Sequence, residues 1–199
     1  MTDARDPSAF VIETPRLSLS LPSLDTAERI ADYHARNRAF LAPYEPLRPT
    51  AFFTRAFWID RVAVLHEEAR QGTSVRWVLM DRLHPDRPIV GTCSLTQIAR
   101  GPSQNAIVGY ALDREREGQG LMREALGAVI GFAFGPLGLK RLMANYLPDN
   151  ERSARLLKHL GFVIEGYGRE LVFINGAWRD HVMTALLNPD PKAVVSPGA

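Results

Sequence analysis

The chain has 199 residues, 24 Lys and Arg against 22 Asp and Glu, a formal net charge of +2, and 46% hydrophobic and 23% charged residues. This is the balance of a globular protein with one substantial core; the basic residues are scattered among acids and give no argument for nucleic acid, and no apolar run approaches a membrane span. Cys93 is the only cysteine, which excludes an intrachain disulfide, and Met1-Thr-Asp-Ala-Arg-Asp-Pro7 lacks the apolar core of a signal peptide, so a cytoplasmic location with no membrane partner is expected.

Residues 1–9 are polar and expected to be disordered. Pro15-Arg-Leu-Ser-Leu-Ser-Leu21 alternates apolar and polar side chains, the period of a half-buried strand. Pro22-Ser-Leu-Asp-Thr26 stops it, and Ser23 or Asp25 can cap a helix to about Arg38, with Leu24, Ala27, Ile30, Ala31 and His34 on one side. Three prolines in Phe40-Leu-Ala-Pro-Tyr-Glu-Pro-Leu-Arg-Pro49 forbid regular helix or central strand. A second helix, about Thr54 to Gln71, ends before Gly72. Strands follow at Ser74–Met80, Ile89–Ile98 and Asn105–Leu112. The turns His84-Pro-Asp-Arg-Pro88 and Arg100-Gly-Pro-Ser103 make them an antiparallel meander. Cys93 lies in the second of these strands, where it reads as a packed thiol rather than a nucleophile.

After Leu112 comes Asp113-Arg-Glu-Arg-Glu-Gly-Gln-Gly-Leu-Met-Arg-Glu-Ala-Leu126, a polar glycine loop that runs into apolar pairs at helical spacing: Leu121/Met122, Ala125/Leu126 and Val129/Ile130. Gly118 and Gly120 permit close backbone approach, and the first amides of a helix have no internal partner, so a phosphate or pyrophosphate would satisfy them. No Gly-Lys-Ser/Thr follows, so this is not a Walker loop; the third glycine of a dinucleotide fingerprint is replaced by Arg123. Gly135-Pro-Leu-Gly138 closes the helix. Leu139 to Leu147 is strand-like, Asp149 or Asn150 caps a helix through Leu160, and Asn175-Gly176 turns a hairpin of Phe162–Ile174 and Ala177–Leu187. Residues 189–199 are proline-rich and expected to be a flexible tail. The five histidines are scattered, with no metal-ligand spacing.

The order strand, glycine loop, helix, strand, Asn150-Glu-Arg-Ser153 helix and Leu160-Gly-Phe162 strand resembles the GNAT family of N-acetyltransferases. Met143-Ala-Asn-Tyr-Leu-Pro-Asp-Asn-Glu-Arg-Ser153 and Trp178-Arg-Asp-His-Val182 resemble its RimJ/RimL type, which includes enzymes that acetylate the N-terminal alanine of a small-subunit ribosomal protein. The likeness runs from about Thr14 to Leu187. It implies one α/β domain over residues 10–188, with a mixed, mostly antiparallel sheet of about seven strands flanked by about four helices. It also implies acetyl-CoA as co-substrate, no metal, and a ribosomal protein N-terminus as acceptor. No direct nucleic-acid binding is implied, and the state is expected to be monomer or weak dimer.

By the same resemblance the thioester arm of acetyl-CoA would run along Ile107–Leu112, using backbone groups near Tyr110, Ala111 and Leu112. Its pyrophosphate would lie on amides of Glu117, Gly118, Gln119, Gly120, Leu121 and Met122. Glu117 and Met122 depart from the family's usual loop pattern, and an acid beside a pyrophosphate is unfavourable unless it points away. Arg123, Arg152, Arg155 and Lys158 are available to offset it. Many relatives place a tyrosine acid where this chain has Leu157, so Ser153 is assigned to the departing thiolate, by hydrogen bond or proton, with Asn150 on the arm or an ordered water. Tyr44, Glu45 and Asp180 are candidates for receiving the acceptor, Asp180 alternatively fixing a hairpin. No general base stands out; Glu165, Glu170, Asp180 or His181 could order a water relay. An N-terminal amine needs less help than lysine, since about a quarter of it is neutral at about pH 7.4 against about a thousandth of a lysine. Two other readings remain: a GNAT enzyme for a small amine or antibiotic, or a non-catalytic acyl-CoA-binding or ribosome-assembly module.

Overall fold

A computed structural model describes residues 7–190. Both termini expected to be disordered fall largely outside that range; of residues 1–9, Pro7 onward belongs to a 3-10 turn, Pro7–Phe10, and Phe10 is buried. One eight-stranded sheet runs in the order β1-β2-β3-β4-β5-β6-β8-β7, where β1 is Ile12–Glu13, β2 Leu17–Ser20, β3 Val75–Asp81, β4 Ile89–Ala99, β5 Asn105–Leu112, β6 Arg141–Tyr146, β7 Val163–Ile174 and β8 Ala177–Leu187. Every neighbouring pair is antiparallel except β5 with β6. The helices are α1 (Ala27–Leu41), α2 (Arg55–Arg70), α3 (Leu121–Phe134) and α4 (Glu151–His159).

The period-2 pattern explains the layering. Val75, Trp77 and Leu79 of β3 join the larger core with the apolar face of α3 (Leu121, Met122, Ala125, Leu126, Val129), while Val78 points to the opposite face and packs with Ile30 and Tyr33 of α1. The sheet is thus covered by α3 and α4 on one side and by α1 and α2 on the other. Ser23 and Asp25 begin not an α-helix but the 3-10 turn Leu24–Thr26, and α1 continues past Arg38 because Leu41 is buried with the α1 core. The extra strand relative to about seven is β1, two residues long and too short to show a period. Asn150, not Asp149, caps α4: its Oδ1 accepts the Ser153 N–H at 3.1 Å.

Candidate active site

The β5–β6 pairing lasts only for Asn105↔Arg141, Ala106↔Leu142 and Ile107↔Met143. Beyond it β6 stays with β8, and β5 stays with β4 as far as Gly91↔Leu112, so the two parallel strands splay apart. The direction of the freed backbone follows from strand alternation. Asp113 N–H donates to Val90 O at 2.8 Å, toward β4, whereas Gln104 O accepts from Lys140 and Arg141 on the β6 side. Tyr110 and Leu112, sharing the parity of Gln104, turn their N–H and C=O into the splay. Ala111 shares the parity of Asp113, and its carbonyl lies against Gly91, where an added Cβ would come within 2.7 Å of it. The amides that face the opening are therefore those of Tyr110 and Leu112, and Ala111 presents only its methyl.

A cavity of about 520 Å³ opens at the splay, lined by Tyr110–Leu112, by Glu117, Gly118, Gly120, Leu121 and Met122 of the loop, and by Asn150, Arg152, Ser153 and Arg155 of α4. Gly118 and Gly120 hold φ of +72° and +74°, and almost nothing crowds a Cβ at either, so glycine is required there by backbone angle rather than by space. Gly120 is the N-cap of α3, which aims the unpartnered first amides of that helix into the cavity. Gln119 is absent from the lining: its carbonyl accepts from Arg16 Nη1 at 2.8 Å and its side-chain amide donates to Glu115 O at 3.2 Å.

The acidic Glu117 is neutralised by an ion pair with Arg152, whose guanidinium also sits over the Phe40 ring at 5.6 Å. Arg123 reaches the cavity wall; Arg155 does so while bonded to Glu151 at 2.9 Å, and Lys158 lies outside the lining. Leu157 is buried in the core, leaving no acid at that turn of α4. Ser153 is half-buried at the cavity and interacts with the Tyr110 phenol, whose pKa burial pushes up to about 12. Sequence reasoning expected only the backbone of Tyr110 and missed this pair; a tyrosine on the inward parity of β5 was the available signal.

A second cavity, about 490 Å³, lies on the α1/α2 face. Its aromatic wall is His34 stacked on Trp58 at 5.2 Å with Phe52 at 4.5 Å from the His34 ring. Burial, with Arg48 nearby, brings the His34 pKa down to about 3, so the ring is neutral. Arg48, Arg61 and Arg76 contribute charge, and Glu45 is the carboxylate in this lining. The two cavities share three residues: Glu45, Tyr110 and Ala111. Glu45 was expected at the acceptor and stands at this junction; Tyr44 lines the cofactor-side cavity instead.

Asp180 lines neither cavity. Its carboxylate accepts from Glu170 N at 2.7 Å and Tyr167 Oη at 2.9 Å, both on β7, and these bonds hold its pKa below the ordinary value. Glu165 is ion-paired with Arg141, Glu170 is exposed, and buried His181 contacts Arg179 O through Nδ1 at 3.0 Å; none lines either cavity. Among the described residues no group of His, Cys, Asp and Glu could hold a metal.

Residues 16–163 match the family model described as an acetyltransferase (GNAT) domain. The chain is 39% identical over 180 residues to the [Ribosomal protein uS5]-alanine N-acetyltransferase of Escherichia coli K12, covering 90% of this chain and 91% of that one. The crystal structure of the ribosomal-protein-S5-alanine acetyltransferase of Vibrio fischeri superposes with a TM-score of 0.85 at 40% identity, over 90% of this chain and 97% of that one. Mycobacterium smegmatis RimJ, solved in complex with CoA-disulfide, gives 0.80 at 26% identity, over 89% and 86%. With a splayed strand pair, a left-handed glycine loop at a helix N-terminus and these matches together, the chain belongs to the GNAT acetyltransferases, enzymes that draw their acetyl group from acetyl-CoA.

Proposed function

We propose that this protein, acting in the cytoplasm through a single domain over residues 10–188, transfers acetyl from acetyl-CoA to the N-terminal α-amine of an alanine on a small-subunit ribosomal protein. The observation that carries the reading is the meeting of two cavities at Glu45, Tyr110 and Ala111, one formed by the splay and glycine loop, the other by the opposite face of the sheet. Donor and acceptor can each enter from their own side and be held in contact, and such positioning is much of what amide formation from a thioester requires.

In this reading the amides of Tyr110 and Leu112 hold the thioester arm and polarise its carbonyl, and the amides of Glu117, Gly118, Gly120, Leu121 and Met122 hold the pyrophosphate. Ser153 hydrogen-bonds the departing thiolate. Its partner Tyr110, kept protonated by burial, supports that bond, and the proton ultimately comes from solvent. The acceptor-side cavity, with one carboxylate against three arginines and an aromatic wall, suits a peptide end better than a polycation, which favours the protein N-terminus over a polyamine. The pairing of Glu117 with Arg152 removes the charge conflict that would have argued for a non-catalytic module.

The test is thiol release from acetyl-CoA with three amines: a short peptide beginning with alanine, the same peptide N-terminally blocked but containing lysine, and spermidine. Turnover confined to the free alanine is expected. Turnover of spermidine alone overturns the acceptor assignment, and silence on all three with CoA binding intact overturns the enzymatic one.

A further inference from the structure

Among the carboxylates lining the two cavities, Glu117 is committed to Arg152, which leaves Glu45. Glu45 sits on the wall of both, beside the strand segment that faces the donor, and its backbone is fixed: Asn175 N–H at the tip of the β7–β8 hairpin donates to Glu45 O at 3.1 Å. Among the described residues its one ion pair, with Arg48, is long, 3.5 Å from both Nε and Nη2 to Oε2, so the carboxylate retains accepting capacity toward the cavities.

Resting on the function proposed above, we propose that Glu45 is the general base: its carboxylate takes a proton from the acceptor's α-ammonium at the junction of the two cavities. The neutral amine then attacks the thioester carbon, forming C–N. Collapse breaks C–S, the nitrogen loses its surplus proton, the thiolate gains one, and Glu45 returns its proton to solvent. The sum is ammonium plus thioester giving amide, thiol and one proton.

The groups around Glu45 are consistent with this task. Burial raises its pKa above the ordinary value, against the lowering effect of Arg48, which brings it closer to that of the amine it must deprotonate. From α1 come the Tyr33 phenol, itself raised chiefly by burial and then by the Glu45 charge, and the neutral His34. Arg61 of α2 and Arg76 of β3 line the acceptor cavity, both near Glu68, at 3.9 and 3.7 Å. Tyr110 of β5 is shared; Arg152, Arg123 and Arg155 face from the donor side; Arg38 lies in the small adjoining cavity.

The experiment measures kcat/KM against pH from 6 to 8.5 for wild type, Glu45→Gln and Glu45→Asp, with the alanine peptide. A carboxylate acting on an ammonium gives a level profile between its own pKa and that of the amine, near 7.8, whereas Glu45→Gln must wait for amine that is already neutral and gains about tenfold per pH unit below that value. The expected deficit of Glu45→Gln is about 100-fold near pH 6.5, shrinking to a few-fold above pH 8, with Glu45→Asp keeping the wild-type shape. A deficit equal at every pH overturns the base role alone, because a positioning or folding defect has no reason to follow the amine's titration. If wild type instead uses lysine or spermidine, the alanine assignment fails while the same comparison, with its break moved to that amine's pKa, still decides Glu45. Silence on every amine overturns both.

Discussion

Ser153 and Tyr110 place two hydroxyl groups together on the wall of the splay cavity, and burial keeps the Tyr110 phenol protonated near neutral pH. Ser153→Ala is expected to lower kcat about tenfold while leaving acetyl-CoA affinity, measured by calorimetry, within about twofold, since a single hydrogen bond to a developing anion is at stake. Tyr110→Phe should act in the same direction, and the double variant should fall short of the product of the two, because interacting neighbours are not additive. An unchanged kcat in Ser153→Ala removes the pair from the chemistry. Gly120 makes a different kind of contribution: at φ +74° with only the Arg16 Nη2 near a hypothetical Cβ, at 3.7 Å, its role is conformational. Gly120→Ala should cost about 1 kcal/mol in stability and weaken CoA binding several-fold, checked by denaturant unfolding and calorimetry.

At the scale of elements, the glycine loop is held by a tie that no local pattern announces. Glu124, in the first turn of α3, accepts from Thr14 Oγ1 at 2.7 Å, Arg16 N at 2.8 Å and Arg16 Nε at 2.7 Å, while Arg16 also holds Gln119 O. The segment leading into β2 thus fixes the register of the loop and the helix together. Burial works to raise the Glu124 pKa, but the bonds from Thr14 and Arg16 outweigh it and set the value below the ordinary 4.5. A depressed carboxylate contributes stability that is present above about pH 4.5 and lost as pH falls through the lower folded-state value. Glu124→Gln is therefore expected to lower the melting temperature at pH 7 and to narrow its gap from wild type below about pH 4.5. A gap independent of pH across that window would show that the charge is not what the tie uses.

At the scale of the whole molecule, the cavity on the α1/α2 face depends on the tip of a sheet hairpin meeting a distant loop. The tip of the β7–β8 hairpin reaches the proline loop after α1: Asn175 N–H bonds Glu45 O, and Gly176 lies against Leu47, 3.6 Å from where its Cβ would stand. Asn175→Pro removes that donor and cannot adopt φ +46°, so it should raise KM for the peptide about tenfold while CoA affinity stays within about twofold. Equal losses for both substrates would mean that the hairpin supports the fold generally rather than the acceptor side.

Much of this organisation was legible in the chain. Apolar patterning together with strand composition, caps and turn residues identified the seven longer strands and four helices; Asn175-Gly176 set the hairpin and Gly118 and Gly120 the loop, because φ above zero selects glycine and tolerates asparagine. The proline loop was recognisable as irregular but not as the carrier of Glu45 to a junction of cavities. The splay that begins after Ile107↔Met143, the parity that turns Tyr110 and Leu112 rather than Ala111 into it, the Ser153–Tyr110 pair, the Glu117–Arg152 ion pair and the Glu45–Asn175 contact are all relations between segments far apart in sequence. Local side-chain pattern fixes which face of an element is buried, but which strands part and which side chains face one another across the gap is decided only by packing the whole sheet between its helices.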